Sequence, residues 1–486
     1  MPDWLHAEGY WLARFLLQRG LGLVYLIAFV VVLEQFRPLL GEDGLLPVPG
    51  FLARVSFRRA PSLFHFRYSD RLLVAVAVTG IVLSLAVVAG IPDRLPAPLT
   101  VAIWLLLWAL YLSIVNVGQT FYAFGWESLL LEAGFLAAFL GPSSSAVPAP
   151  LVWLFRWLLF RLEFGAGLIK MRGDRCWRDL TCLYYHQETQ PMPNPLSWYF
   201  HHLPKPLHRI EVLGSHFAQL VAPVLLFLPQ PFAAFAGLVM AVTQFWLVLS
   251  GNFSWLNLTT IVLTASAFDD RMLGRVLPIA HVATAPLFWL DALVVAVTVL
   301  VIALSYRPAR NLVSPSQLMN ASFDPLRLVN TYGAFGSIER ERFEVVVEGT
   351  ADERIGPETV WLEYEFRGKP TAPARRPPQW APYHLRLDWL MWFAAISPGY
   401  AWPWFDRFVA KLLQNDRAIL RLLGRNPFPD APPRAVRAVL YRYRFTTPRE
   451  RRETSAWWAR ERMGEFLGPT TRKNPSRHWR WEPASA

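Results

Sequence analysis

Arg161-Leu-Glu-Phe-Gly-Ala-Gly-Leu-Ile-Lys170 sets three charged residues into an otherwise apolar helical stretch. It runs on through Met-Arg-Gly-Asp-Arg-Cys176-Trp-Arg-Asp-Leu-Thr-Cys182 and then Tyr184-Tyr-His-Gln-Glu-Thr-Gln-Pro-Met-Pro-Asn-Pro195. The stretch reads as a hydrophobic helix that fills with charge and spills into a dense polar and aromatic loop. Ionisable groups at membrane depth are expensive unless paired. Some partner must therefore offset Arg156, Arg161, Glu163 and Lys170, so the residues around them decide the reading of the chain.

Those surroundings are membrane-like. Charged residues make up 17% of the 486 residues and aromatics 14%, a balance outside the usual soluble range. Runs near the roughly 20 apolar residues that cross a bilayer recur at 15–34, 72–91, 98–117, 212–229, 231–250 and 283–305. Three further runs are compromised: 121–140 contains Glu127 and Glu132, 151–170 contains Arg156, Arg161 and Glu163, and 253–268 is short. The expectation is a polytopic α-helical membrane protein with about nine transmembrane helices. Residues 1–20 lack a signal-peptide pattern, so insertion is expected to use the first span.

The transmembrane domain is predicted over 1–306, with long polar loops at 37–71 and 171–211. A Pro-containing linker at 307–335 leads to a C-terminal soluble α+β domain at 336–450, followed by a basic tail at 451–486. Alternation predicts strands with Phe343, Val345 and Val347 on one face, with Leu362, Tyr364 and Phe366 opposing Glu363 and Glu365, and with Val439, Tyr441, Tyr443 and Phe445 opposing Arg442 and Arg444. Residues 385–396 and 402–423 read as helical, which gives a small antiparallel sheet with helices.

The net charge of +12 is unevenly placed. Residues 1–306 carry 19 Lys/Arg against 17 Asp/Glu, and 307–486 carry 29 against 19. A basic face beside a bilayer points to lipid headgroups, and no motif supports nucleic acid as a partner. An odd number of spans puts both long loops and the C-terminal domain on one face. Counting Lys/Arg makes that face cytoplasmic, although charge in long folded loops is a weak topogenic signal.

Glu127 and Glu132 are five residues apart and diverge by about 140° around a helix, so they need different partners. The neighbouring span supplies Arg156 and Arg161, and pairing across an antiparallel helix pair is expected. Ion pairs that hold a bundle in register are the commoner explanation of such groups, and a polar cavity is the alternative. Cys176 and Cys182, the chain's two cysteines, can close a small disulfide loop in an oxidising compartment, but they form no C-x-x-C motif. His186, His201, His202, His208 and His216 match no metal-ligand spacing, and neither a metal nor a cofactor is expected. Gly165-Ala-Gly167 reads as a site of close helix contact.

Taken together, Gly118–Ser128, Arg161–Lys170, Tyr185–Pro195 and Ser250–Asn257 resemble the lipase maturation factor family. Further matching segments are Trp361–Phe366, Arg375–Pro378, Leu387–Phe393, Asn426–Pro429 and Leu440–Phe445. The resemblance implies a membrane-embedded factor that assists folding, assembly or secretion of client proteins such as lipases, in the endoplasmic reticulum of eukaryotes. It also implies a lumenal or exoplasmic C-terminal domain, and this placement is preferred over the Lys/Arg count. Two cysteines and an ending without a retrieval signal suit a compact bacterial-type member in a cytoplasmic membrane.

Three groups of residues follow from this reading. The polar intramembrane cluster is Glu127, Glu132, Arg156, Arg161, Glu163 and Lys170. The loop motif is Arg172, Asp174, Cys176, Trp177, Cys182, Tyr185, His186, Gln187, Glu188, Thr189 and Asn194. Trp389, Trp392 and Phe393 are candidates for client contact, with core burial expected for at least two. The competing reading is a membrane enzyme in which Glu127, Glu132, Arg161, Glu163, Lys170, His186 and Glu188 line one cavity and Lys170 or His186 acts as general base.

Overall fold

The computed structural model describes residues 3–472. Five of the six long apolar runs form long helices, because a backbone without water must bond within its own segment. Trp11–Leu40, Asp70–Val88, Ala97–Val117, Phe232–Ser250 and Phe288–Val313 are long and apolar enough to cross a membrane. The chain is an integral membrane protein.

The other expected spans differ in kind, so five of the expected nine meet the length and composition of a span among the described residues. Residues 121–140 yield only the helix Gly125–Ala137, 13 residues long and buried from Trp126 onward. At 1.5 Å per residue it spans about 20 Å, short of the roughly 30 Å hydrocarbon layer. Ala149–Arg172 has the length, 24 residues, but it carries four buried charged side chains. Lys205–His216 continues through one π-turn, Phe217–Val221, into Ala222–Leu225. Leu256–Ala267 is short. Gly125–Ala137 and most of Ala149–Arg172 are buried against other helices, so neither full length nor full apolarity is demanded of them, whereas the stretch 205–225 leaves Ile210, Leu213, Val221 and Val224 exposed.

Contacts sort the helix ends into two groups. At one end Ala7 N–H donates to the Val147 carbonyl (2.8 Å), and the Asp270 carboxylate accepts from Trp11 N–H (3.0 Å) and Leu12 N–H (2.8 Å). That carboxylate satisfies the unpaired donors of the first long helix and complements its dipole. At the other end lie both long loops and the C-terminal domain, joined in part by the Lys411–Asp43 ion pair.

The C-terminal domain has strands β1 (Arg342–Thr350), β2 (Leu362–Glu363), β3 (Glu365–Phe366), β4 (Leu423–Arg425), β5 (Ala435–Phe445) and β6 (Trp458–Thr471). An antiparallel sheet runs β2-β1-β5-β6, and β3 pairs with β4. Helices Arg386–Ile396 and Phe405–Leu413 complete the domain.

Three boundaries differ from expectation. The last long helix runs to Val313, beyond the predicted start of the linker. The linker itself is not free: Leu328, Val329, Asn330 and Tyr332 are buried in the bundle. Residues 458–471 of the expected tail form β6, because Trp458 and Phe466 pack into cores; residues 473–486 lie outside the described residues. The alternation in β1 also understated burial. Val345 and Val347 face the main core, while Val346 joins Trp198, Tyr443, Phe445, Trp457 and Trp458 on the other side.

Candidate functional site

The six polar groups of the bundle do not converge. Arg161 pairs with Glu132 across the two successive helices, as the sequence suggested. Arg161 Nη1 also donates to the Asn330 carbonyl (2.6 Å), and Tyr332 Oη–H (2.8 Å) and Asn330 N–H (3.0 Å) donate to Glu132. The buried linker therefore closes this site. It reaches in because Gly165 has no Cβ: one placed there would lie 2.5 Å from the Tyr332 carbonyl oxygen.

Glu127 corrects the expected pairing. Its partner is Arg386 of the C-terminal domain, at 2.8 Å, and Tyr111 Oη–H donates to the same carboxylate. Arg386 also donates to the Phe121 carbonyl (2.7 Å) and lies 3.4 Å from the Tyr122 ring centroid. The divergence of the two glutamates around their helix points one at a neighbouring helix and the other at the docked domain. Arg156 has no carboxylate partner among the described residues. It donates to the Ser266 (2.9 Å) and Leu226 (3.1 Å) carbonyls, which are partly negative helix ends, and to Tyr10 Oη (2.8 Å).

Glu163 accepts from Gln244 (2.6 Å) and Gln219 (3.3 Å), and Lys170 donates to Gln219 Oε1 (2.9 Å) and Ser215 (3.2 Å). The six polar residues thus occupy four separate hydrogen-bonded sites. A cavity of about 510 Å³ does open on the bundle, but Trp4, Trp153, Trp157, Phe227 and Ile302 line it and none of the six polar residues does. His186 is packed between rings: burial between Phe253 and Phe335 holds its imidazole down at about 3, with Lys170 adding to the effect. The groups proposed for an enzyme site are therefore not gathered in one place.

What the structure does assemble is a joint between bundle and domain, with the 171–211 loop as its middle layer. Cys176 and Cys182 form a disulfide, packed with Trp177, Val212 and Ile338. Asp174 accepts from Cys176 N–H (2.9 Å) and pairs with Arg340 (2.9 Å), whose guanidinium lies 4.8 Å from the Tyr185 ring. Arg172 donates to Gln317 (2.7 Å) and to the Leu312 carbonyl (2.8 Å). Gln187 Oε1 accepts from Gln190 (3.3 Å). The Thr189 carbonyl accepts from the Trp392 indole (3.1 Å), and Asn194 holds the turn by accepting from Leu196 and Ser197 N–H, both at 3.0 Å.

The strongest clamp was not read from the sequence. Arg342, fully buried, donates to the carbonyls of Glu188 (3.0 Å), Gln190 (2.5 Å) and Pro191 (3.0 Å), and its charge is met by Glu344 (2.5 Å). Lys369 completes the buried group at 2.9 Å from Glu344. Asn252 was also missed, although its segment was quoted for the family resemblance. It donates to the Pro193 (3.2 Å) and Pro378 (3.0 Å) carbonyls and accepts from Trp380 (2.7 Å) and Ala381 (2.8 Å) N–H. Arg342 and Glu344 are two apart on a strand and so share a face. That was the available signal, but nothing local said that this polar face would be covered.

Among the client-contact candidates, Trp389 is buried against Phe124 and Trp126. Trp392 and Phe393 are half-buried, 5.0 Å apart, and Phe393 continues to Tyr400 at 5.2 Å.

Glu188 gives the joint a pH dependence. Burial pushes its carboxyl up to about 7, against the opposing hydrogen bond from Phe445 N–H (2.6 Å) and the charges of Arg342 and Arg444. His201 stands 3.8 Å away, and its own burial lowers it to about 4, so it is neutral at pH 7 and the contact is not an ion pair. A carboxyl raised on folding binds more protons folded than unfolded between its two pKa values. Its contribution is full below the unfolded value near 4.5 and is lost as pH rises through about 7. Glu188→Gln keeps the acceptor and removes the proton. It is expected to raise the apparent melting midpoint at pH 8, by up to roughly 3 kcal/mol of stability, and to change little at pH 5. An unaltered pH slope in tryptophan-fluorescence melts would refute this assignment.

Comparison with known proteins agrees with this two-part architecture. A family model described as the lipase maturation factor transmembrane domain matches residues 12–275. A second, the lipase maturation factor C-terminal domain, matches residues 328–468. The chain is 42% identical to lipase maturation factor 1 of Bos taurus, over 98% of this chain and 93% of that protein. It is 40% identical to lipase maturation factor 1 of Homo sapiens, over 96% and 89%. It is 30% identical to human lipase maturation factor 2, over 96% and 83%. No solved structure matches.

Proposed function

This chain belongs to the lipase maturation factor family, and on that premise we propose that it is a membrane-embedded factor assisting the folding of lipase clients. The observation that carries the reading is the near full-length similarity to proteins named for that role, through both parts of the molecule. The bundle and the 171–211 loop serve as a rigid support for the C-terminal domain. Client contact is assigned to Trp392 and Phe393 with the adjacent Tyr400 and Trp402, which are 51% and 66% exposed. Large exposed aromatics supply contact area at small entropic cost, which suits binding of incompletely folded apolar surface. Trp389 supports this ridge from beneath.

The disulfide-bearing face is assigned to an oxidising compartment. That is the lumen of the endoplasmic reticulum or, in a bacterium, the outer side of the cytoplasmic membrane. The four shorter or charged helices are read as further passes, giving about nine in all.

The deciding experiment removes the gene from its own cell and measures secreted lipase activity per unit of lipase protein, with the lipase transcript monitored. Activity is expected to fall severalfold at constant transcript and to return with the wild-type chain but not with Trp392→Ser/Phe393→Ser/Trp402→Ser. Unchanged lipase specific activity would sink the client assignment. A glycosylation or thiol reporter placed in the exposed 353–358 turn tests the orientation separately, and cytoplasmic accessibility would refute it.

A further inference from the structure

The segment Arg54-Val-Ser-Phe-Arg-Arg-Ala-Pro-Ser-Leu-Phe-His-Phe-Arg67 is absorbed by none of the roles above. It carries four arginines, and residues 44–69 contain no Asp or Glu. Arg54, Arg58, Arg59 and Arg67 are all exposed and form no ion pair among the described residues; Arg54 donates to the Gly50 carbonyl (2.9 Å). The nearest acidic residues in sequence are engaged elsewhere. Asp43 meets Lys411, and Asp70 accepts from Arg37, Tyr68 and the Glu42 N–H. Interleaved with the arginines are three exposed apolar side chains, Phe57, Leu63 and Phe66, the last 80% exposed. Phe57 and Phe66 lie 5.7 Å apart, so the apolar surface is a cluster.

Position supplies the second half of the argument. The segment lies between the end of Trp11–Leu40 and the start of Asp70–Val88, both long apolar helices. It is also pinned to the last turn of Ala97–Val117. Ser62 Oγ–H donates to the Ser113 carbonyl (2.9 Å), Leu63 N–H donates to Ser113 Oγ (3.0 Å), and Asn116 donates to the Pro61 carbonyl (2.9 Å). Phe64 is buried and fixes the turn from below. The arginines and aromatics are therefore held where three membrane helices reach the same boundary.

We propose that residues 54–67 are an interfacial anchor that binds the phosphates of anionic phospholipids in the leaflet beside the C-terminal domain. Phe57, Leu63 and Phe66 enter the edge of the acyl layer, and the arginine side chains reach the headgroup phosphates. Aromatic side chains favour that depth, and guanidinium groups meet phosphate in a forked geometry. The anchor sets the height of the loop and, through the Lys411–Asp43 pair, of the domain above it.

Native mass spectrometry of the purified full-length protein tests this. The protein is offered equal amounts of phosphatidylglycerol and phosphatidylcholine with the same acyl chains. Wild type is expected to retain phosphatidylglycerol preferentially. The variant Arg54→Gln/Arg58→Gln/Arg59→Gln/Arg67→Gln should lose at least about tenfold of that preference. Phe57→Ser/Phe66→Ser should lower the total lipid retained, and Arg449→Gln/Arg452→Gln should change nothing. If the quadruple variant does not fold, Arg59→Gln and Arg67→Gln separately should each lower the preference severalfold. Full preference in the arginine variants would overturn the proposal, as would equal competition by soluble glycerol 3-phosphate.

Discussion

Replacing Arg386 with Met is expected to loosen the C-terminal domain from the bundle more than any exposed substitution in the protein. Arg386 and Glu127 are both fully buried, and each is the other's principal countercharge. Removing one leaves a charge without a partner in a low-dielectric site, which costs about 3–5 kcal/mol. Glu127→Gln should cost a similar amount, because Arg386 would keep the Phe121 carbonyl and the Tyr122 ring but no anion. The double variant Glu127→Gln/Arg386→Met should cost clearly less than the sum, since no buried charge is then stranded. Limited proteolysis of the domain and the apparent melting midpoint read both effects. Strict additivity of the two single changes would show that the pair does not act as a unit.

Arg342→Lys is the second large effect. The guanidinium spans three loop carbonyls and Glu344 at once, a fan of donors that one ammonium cannot reproduce. The change should cost about 2–4 kcal/mol, as unsatisfied buried carbonyls and a poorly met carboxylate accumulate. Its signature is local. Hydrogen exchange should rise over residues 186–192, while the part closed by the Cys176–Cys182 disulfide keeps its protection. Arg434→Ala is the control, because that side chain is 66% exposed and its ion pair with Glu353 is on the surface. Equal protection in Arg342→Lys and wild type would remove Arg342 from its role as the clamp of the joint.

Both predictions concern residues whose importance is tertiary. Glu132 and Arg161 could be matched from the sequence because their helices are consecutive, and short connections make consecutive helices antiparallel neighbours. Glu127 could not be matched with Arg386, because the docking of a distant domain leaves no periodic trace. The same limit explains the linker. Leu328–Tyr332 carries no helix or strand pattern, yet it is buried because Gly165 leaves room for its backbone. It also explains the length of Gly125–Ala137, which is apolar enough to read as part of a span but is enclosed by other helices and need not match the hydrocarbon thickness.

The sequence by itself determined the class of the molecule: hydrophobic runs of bilayer length, a C-terminal region of alternating strands, and a chain of motifs specific enough to resemble its family. Those properties are local, since period and apolarity act within a few residues of one another. Only the tertiary structure decided which charges meet, that the 171–211 loop is a middle layer between two bodies, and that the polar face of β1 is a clamp. Burial of a charge is tolerated only where distant chain segments bring countercharge and carbonyls to it, and that arrangement exists only in the folded state.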